Sequence, residues 1–366
     1  MAKTYHGNNN ANVKKAHRTG IGRLSFWRSW EMFGYGGNDV LTGGDKDDLL
    51  NGGTGIDRLV GGKGSDKYVV DNSRDTVIEA ANEGHDVVES TATFQLGRNV
   101  EDLTLKGYRS INGTGNELNN VLKGNSKNNV LRGRNGRDVL YGNGGDDVLD
   151  GGSGIDRMFG GTGNDTYIVD HRSDQVTESR REGIDTVEAH INNYRLGSNV
   201  ENLKLGSSFR VTEGHGNFLN NEIIGNRANN YLYGHGGRDH ISGGAGNDVL
   251  IGGDGNDTLV GMTTTNRGEV DRLVGGDGAD RFQLHNRVSS QGQYQTYSLS
   301  GYAVIDDFDV YEGDKITVLG SGNYQLQSRD FFGDGVSDTV ISQGNNIIGV
   351  VSNNTNISMA RDFQYL

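Results

Sequence analysis

Gly52-Gly53-Thr54-Gly55-Ile56-Asp57-Arg58-Leu59-Val60 decides the fold: a glycine-rich turn, an aspartate and one large apolar residue, repeated every nine residues. Glycine tolerates positive φ, so the chain turns tightly and leaves carbonyls pointing into the turn. Leu59 is the single side chain placed to face inward on the very short strand that follows. Two such units complete one coil as turn, strand, turn, strand.

Three blocks keep this register. Asp39, Asp48, Asp57 and Asp66 are each nine residues apart, as are Asp138, Asp147, Asp156 and Asp165, which Asn120 and Asn129 precede in phase. The third block runs Asn221, Asn230, Asp239, Asp248 and Asp257, takes a five-residue insertion around Thr263 to Gly268, and resumes at Asp271 and Asp280. The insertion is expected to bulge as a loop. A β-roll is therefore predicted over 34–281, with nonapeptide blocks at 34–69, 115–168 and 214–281. Linking strand units at 70–114 and 169–213 separate them, and the junctions into them, Tyr68-Val-Val-Asp71 and Tyr167-Ile-Val-Asp170, recur about 100 residues apart.

Both ends break the pattern. Residues 1–33 hold six basic residues, no acid before Glu31, and both tryptophans, Trp27 and Trp30. Ile21, Leu24, Trp27 and Trp30 at three-residue spacing suggest a short amphipathic helix. It would cap the first coil or dock on an anionic surface. Residues 282–366 lose the nonapeptide and read as a compact β cap, with runs such as Tyr302-Ala-Val-Ile305 and Asn346-Ile-Ile-Gly-Val-Val351.

Composition agrees. Of 366 residues 60 are glycine, only 33% are hydrophobic, and proline is absent, which leaves little material for a conventional globular core. The 48 acidic residues against 35 basic ones give a net charge of −13, arguing against nucleic acid as a partner. Zero cysteines exclude disulfides, zinc-thiolate sites and cysteine nucleophiles together. No stretch reaches the ~18 apolar residues of a transmembrane helix, and no cleavable N-terminal signal peptide is read.

Loops two units apart stack on one edge about 4.8 Å from each other. Two carboxylates at that spacing repel by about 0.9 kcal/mol in water, and several-fold more at lower dielectric. A cation between them is required. A gap lined by aspartates and backbone carbonyls suits a hard ion with six or more oxygen ligands, and calcium fits better than the strictly octahedral magnesium. Seven pairs follow: 39/57, 48/66, 138/156, 147/165, 239/257, 248/271 and 257/280. The expected metal site thus comprises those aspartates with the loop glycines Gly52, Gly55, Gly61, Gly64, Gly151, Gly154, Gly160, Gly163, Gly243, Gly246, Gly252 and Gly255. About seven Ca2+ ions would offset the net charge. The asparagines at 120, 129, 221 and 230 are expected to hold their coils by amide hydrogen bonds without metal. Lys46, Arg134 and His235, standing where the motif has glycine, weaken the case for their loops.

The repeat resembles the RTX (repeats-in-toxin) family, whose motif is Gly-Gly-x-Gly-x-Asp-x-U-x with U a large apolar residue. The resemblance implies an all-β fold: a parallel β-roll or β-helix solenoid with calcium between coils, here with a short N-terminal cap and a C-terminal β cap. It further implies type I secretion through an uncleaved C-terminal signal, and folding triggered by extracellular calcium.

No His-Glu-x-x-His, Gly-x-Ser-x-Gly or phosphate-binding glycine-loop motif occurs, so no catalytic residue is assigned and the chain is not expected to be an enzyme. The leading expectation is a secreted structural or cell-surface protein of a matrix, surface layer or adhesin type. Its candidate partners are calcium, surface polysaccharide or further copies of itself. The alternative is a module of polysaccharide-modifying machinery of the alginate-epimerase type. A pore-forming toxin lacks support, because no long apolar helical region precedes the repeats.

Overall fold

The computed structural model describes residues 3–16, 29–262, 268–287, 294–296, 301–320 and 322–366. Contacts divide the chain into two units, Met1–Ile184 and Asp185–Leu366. Each is an all-β parallel solenoid.

In the first unit one side is a ten-stranded parallel sheet that takes every second strand from Lys3–Asn8 to Gln175–Thr177. Its register stacks Met32, Leu50, Tyr68, Val88, Leu103, Leu122, Leu140 and Met158 into one inward column. All eight are fully buried. The intervening strands form the other side, first as Val13–Lys15, Val40–Thr42, Arg58–Val60 and Thr76–Ile78, then from Phe94–Gln95 through Thr166–Val169. The apolar position of the nonapeptide is thus the core. Each such side chain contributes roughly 1.5–3 kcal/mol, and glycine-rich turns leave room for no second one per unit.

The second unit repeats the plan. Leu203, Ile223, Ile241, Leu259, Phe282 and Ile316 stack on one side, and Leu232, Leu250, Leu273, Ile305 and Val351 on the other. The five-residue insertion costs the sheet nothing in register: Leu250 still pairs with Leu273. Its residues 263–267 lie outside the described residues.

Two boundaries differ from the sequence reading. Lys3–Asn8 and Val13–Lys15 are strands, paired in parallel with Trp30–Tyr35 and Val40–Thr42, so residues 3–16 form a coil of the roll. The expected helix falls mostly on residues outside the described ones, but Trp30 itself opens a strand and is buried, with the Lys3 and Lys14 ammonium groups 5.4 and 5.6 Å from its ring centroid. At the other end Tyr302–Ile305 and Lys315–Val318 continue the parallel ladders beyond residue 281. Asn346–Val351 adds one more parallel strand beside Tyr302–Ile305, Asp338–Gln343 and Tyr324–Arg329 then pair antiparallel outward from it, and Phe363–Tyr365 closes against Lys315–Val318.

Candidate metal centre

The aspartates of each block form a ladder, built on the backbone as much as on one another. Asp138 is typical. Its Oδ1 accepts the amide of Asn120 one coil earlier at 2.6 Å, and its own amide donates to Asp156 Oδ1 one coil later at 2.7 Å. The same bond joins all seven expected pairs: Asp39 to Asp57, Asp48 to Asp66, Asp147 to Asp165, Asp239 to Asp257, Asp248 to Asp271 and Asp257 to Asp280, at 2.6–2.8 Å. One oxygen of each acceptor is therefore spent on main-chain registration.

The other oxygen is not. Oδ2 of Asp39, Asp57, Asp66, Asp138, Asp147, Asp156, Asp239, Asp248, Asp257 and Asp280 is buried without a hydrogen-bond partner. Burying an ionised oxygen in this way is costly and favours the neutral form. Desolvation, aided by neighbouring carboxylates, pushes Asp57 and Asp156 up to about 6, Asp66, Asp138, Asp147, Asp239 and Asp280 to about 7, and Asp248 to about 8.

The loop glycines have two separate roles. The second- and fourth-position glycines, such as Gly53 (φ 80°) and Gly55 (φ 147°), make the turn. First-position glycines keep space open. A Cβ on Gly133 would collide with Asp138 Oδ2 and lie 2.5 Å from the carbonyl oxygen of Gly151 in the next coil. Gly142 repeats this with Asp147 and Gly160, and Gly234 with Asp239 and Gly252. An orphan carboxylate oxygen and a backbone carbonyl thus converge on one cradle, with no donor aimed at the carboxylate oxygen. An all-oxygen set of this kind suits calcium, which these residues would hold. Bound there, the ion would supply the positive charge that the carboxylates lack.

Departures from the motif have graded consequences. In the loop with Lys46, Asp48 Oδ2 accepts the amide of Gly44 at 2.7 Å and is no longer open. Arg134 and His235 nevertheless adopt the glycine conformation, at φ 86° and 79°, and Asp138 and Asp239 beyond them keep their orphan oxygens. The asparagine coils close on themselves: Asn120 Nδ2 donates to the carbonyls of Val100 and Glu101, and Asn129 Nδ2 to that of Ile111.

Sequence reasoning overlooked several carboxylates. Asp75 and Asp174 stand 18 residues after Asp57 and Asp156 and accept their amides at 2.9 and 3.0 Å, so the coil spacing alone would have found them. Both spend their second oxygen on nearby amides and end their columns as caps. Asp86 accepts the amide of Asp66 across 20 residues, a spacing the linking unit conceals. Glu79 and Glu269, outside any motif, are buried with an orphan Oε2. At the C-terminal end Asp314 accepts the amides of Asp280 and Asp309, Asp307 those of Gly275 and Gly276, and Asp306 pairs with Arg272, so these aspartates cap the last coil. Asp334 lies in a hairpin turn whose amides bond Asp330.

Comparison with known proteins agrees with this geometry. The family model described as the RTX calcium-binding nonapeptide repeat (4 copies) matches residues 33–68, 114–149, 150–166, 215–250, 236–263 and 268–283. No curated protein matches the chain. Among solved structures, the extracellular lipase LipA from Serratia marcescens matches with 18% identity and a TM-score of 0.20, over 76% of this chain. This chain spans 44% of that lipase. All three blocks of the chain thus carry the RTX calcium-binding nonapeptide repeat.

Proposed function

We propose that this chain is a secreted calcium-binding β-roll with a structural or cell-surface role, which folds on calcium outside the cell and carries no catalytic activity. The observation that carries the reading is the column of buried Oδ2 atoms without partners. At neutral pH those carboxylates oppose closure of the coils unless a cation neutralises them. Extracellular calcium, at about millimolar concentration against affinities of about 10⁻⁴ to 10⁻³ M, contributes roughly 0.4–1.4 kcal/mol per independent site. Neighbouring sites reinforce one another because each orders the next coil. RTX proteins are typically secreted, and among the described residues no helix is long and apolar enough to cross a membrane.

A structural role fits a chain whose described length is taken up by coils and their end cap. Calcium titration followed by circular dichroism and light scattering tests the proposal. The expected result is a cooperative gain of β signal near millimolar calcium, accompanied by ordered assembly or by binding to a surface polysaccharide. Full β signal in excess chelator would overturn the folding claim.

A further inference from the structure

The column through Gly43 and Gly61 ends at residue 79, where glutamate stands in place of glycine. Within the block, the carbonyl of the glycine 18 residues on faces the aspartate Oδ2: Gly52 over the cradle of Gly34, and Gly61 over that of Gly43. Eighteen residues after Gly61 comes Glu79, and its side chain occupies that place. A Cβ on Gly61 would meet Asp66 Oδ2, the Tyr68 hydroxyl and Glu79 Oε1 together.

Asp86 completes the group. Ligand oxygens of Asp66, Glu79 and Asp86 lie within 4.8 Å of one another, and all three residues are buried. The Tyr68 hydroxyl donates to Glu79 Oε1, which fixes the glutamate and leaves its Oε2 buried without a partner, as Asp66 Oδ2 is. Three buried carboxylates with two orphan oxygens are a net charge of −3 when ionised, offset only in part by His85 beside Asp86. The super-repeat copies the arrangement 99 residues on: Asp165 Oδ2, the Tyr167 hydroxyl and Glu178 Oε1 surround the cradle of Gly160.

We propose that Asp66, Glu79 and Asp86 form a divalent-cation site that terminates the first block, with Glu79 replacing the next coil's carbonyl, and that Glu178 does the same for the second. The proposal rests on the calcium reading above. It assigns the ligand class as a hard cation, calcium under extracellular conditions, bound more tightly than in the interior loops because a third carboxylate replaces a neutral carbonyl.

Equilibrium dialysis on the full chain, wild type against Glu79→Gln, Glu178→Gln and the double variant, counts the ions. Each substitution is expected to remove one ion from the tightest class, or to weaken it at least tenfold. Wild-type stoichiometry and affinity in the double variant would overturn the proposal and leave the calcium reading intact, whereas a wild type that binds no calcium overturns both. If the glutamine variants fail to fold, terbium replaces calcium and tyrosine-sensitised emission is read in Tyr68→Phe with Tyr167→Phe. Most of the emission should vanish while ion stoichiometry holds. Emission equal to wild type would sink the proposal.

Discussion

Asn120 and Asp138 stand in one column, one coil apart, on the same backbone ladder, and they finish their side chains differently. Asn120 uses Oδ1 for the amide of Asn116 and Nδ2 for two carbonyls of the preceding coil, so its turn is satisfied by protein alone. Asp138 uses Oδ1 for the Asn120 amide and leaves Oδ2 buried without a partner. One atom, N or O, separates a self-sufficient coil from one that needs a cation. The asparagine coils are therefore expected to keep more of their structure without metal than the aspartate coils.

Chelation is the largest test of this contrast. In excess chelator at neutral pH, hydrogen exchange should accelerate most across residues 130–166, while the amides around Asn116–Asn129 retain more protection. Equal loss in both would break the comparison. Acid should partly replace calcium. Asp57, Asp66, Asp138, Asp147, Asp156, Asp239, Asp248 and Asp280 are raised from an ordinary value of 3.8 to about 6 to 8, so protons bind the folded form more tightly. That stabilisation is complete below about pH 4 and is lost as pH rises through about 6 to 8. A pH titration by circular dichroism in chelator should show β signal gained on acidification through that window. In calcium the dependence reverses, because the ion needs the deprotonated form.

A smaller effect is expected for Asp138→Asn. It should remove one ion and about 1 kcal/mol of calcium-dependent stability, and flatten the pH dependence in chelator. Thermal unfolding with and without calcium measures both. Smallest of all, Arg134→Gly relieves a non-glycine residue held at φ 86° and should raise stability by roughly 0.5–1 kcal/mol with the ion count unchanged. A loss of stability would mean that the Arg134 side chain contributes more than its backbone costs.

Much of the site was legible because its determinants are local and periodic. The nine-residue spacing places Asp57, Gly52 and Leu59 at turn, cradle and core without any knowledge of distant residues. Of the carboxylates that were missed, Asp75 and Asp174 keep the 18-residue coil spacing but lie in the linking units, outside the glycine-rich motif. Glu79 keeps the coil phase, 18 residues after Gly61, but stands where the motif has glycine, and the 20-residue step to Asp86 has no periodic signal. The N-terminal segment was misread for a related reason. Lys3–Asn8 alternates weakly, and only the exposed edge of Trp30–Tyr35 makes it a strand.

The sequence by itself determined the coil length, the inward apolar column, the stacked aspartate pairs and the need for a hard cation, since each follows from residue type at fixed spacing. Tertiary structure alone decided which oxygens remain open. It showed one oxygen of each laddered aspartate spent on the neighbouring coil's amide, Asp48 closed by Gly44, the asparagines self-satisfied and Glu79 brought to the end of a column. These outcomes turn on hydrogen-bond partners 18 or more residues away or on the local turn geometry around Lys46, neither of which a repeat pattern specifies.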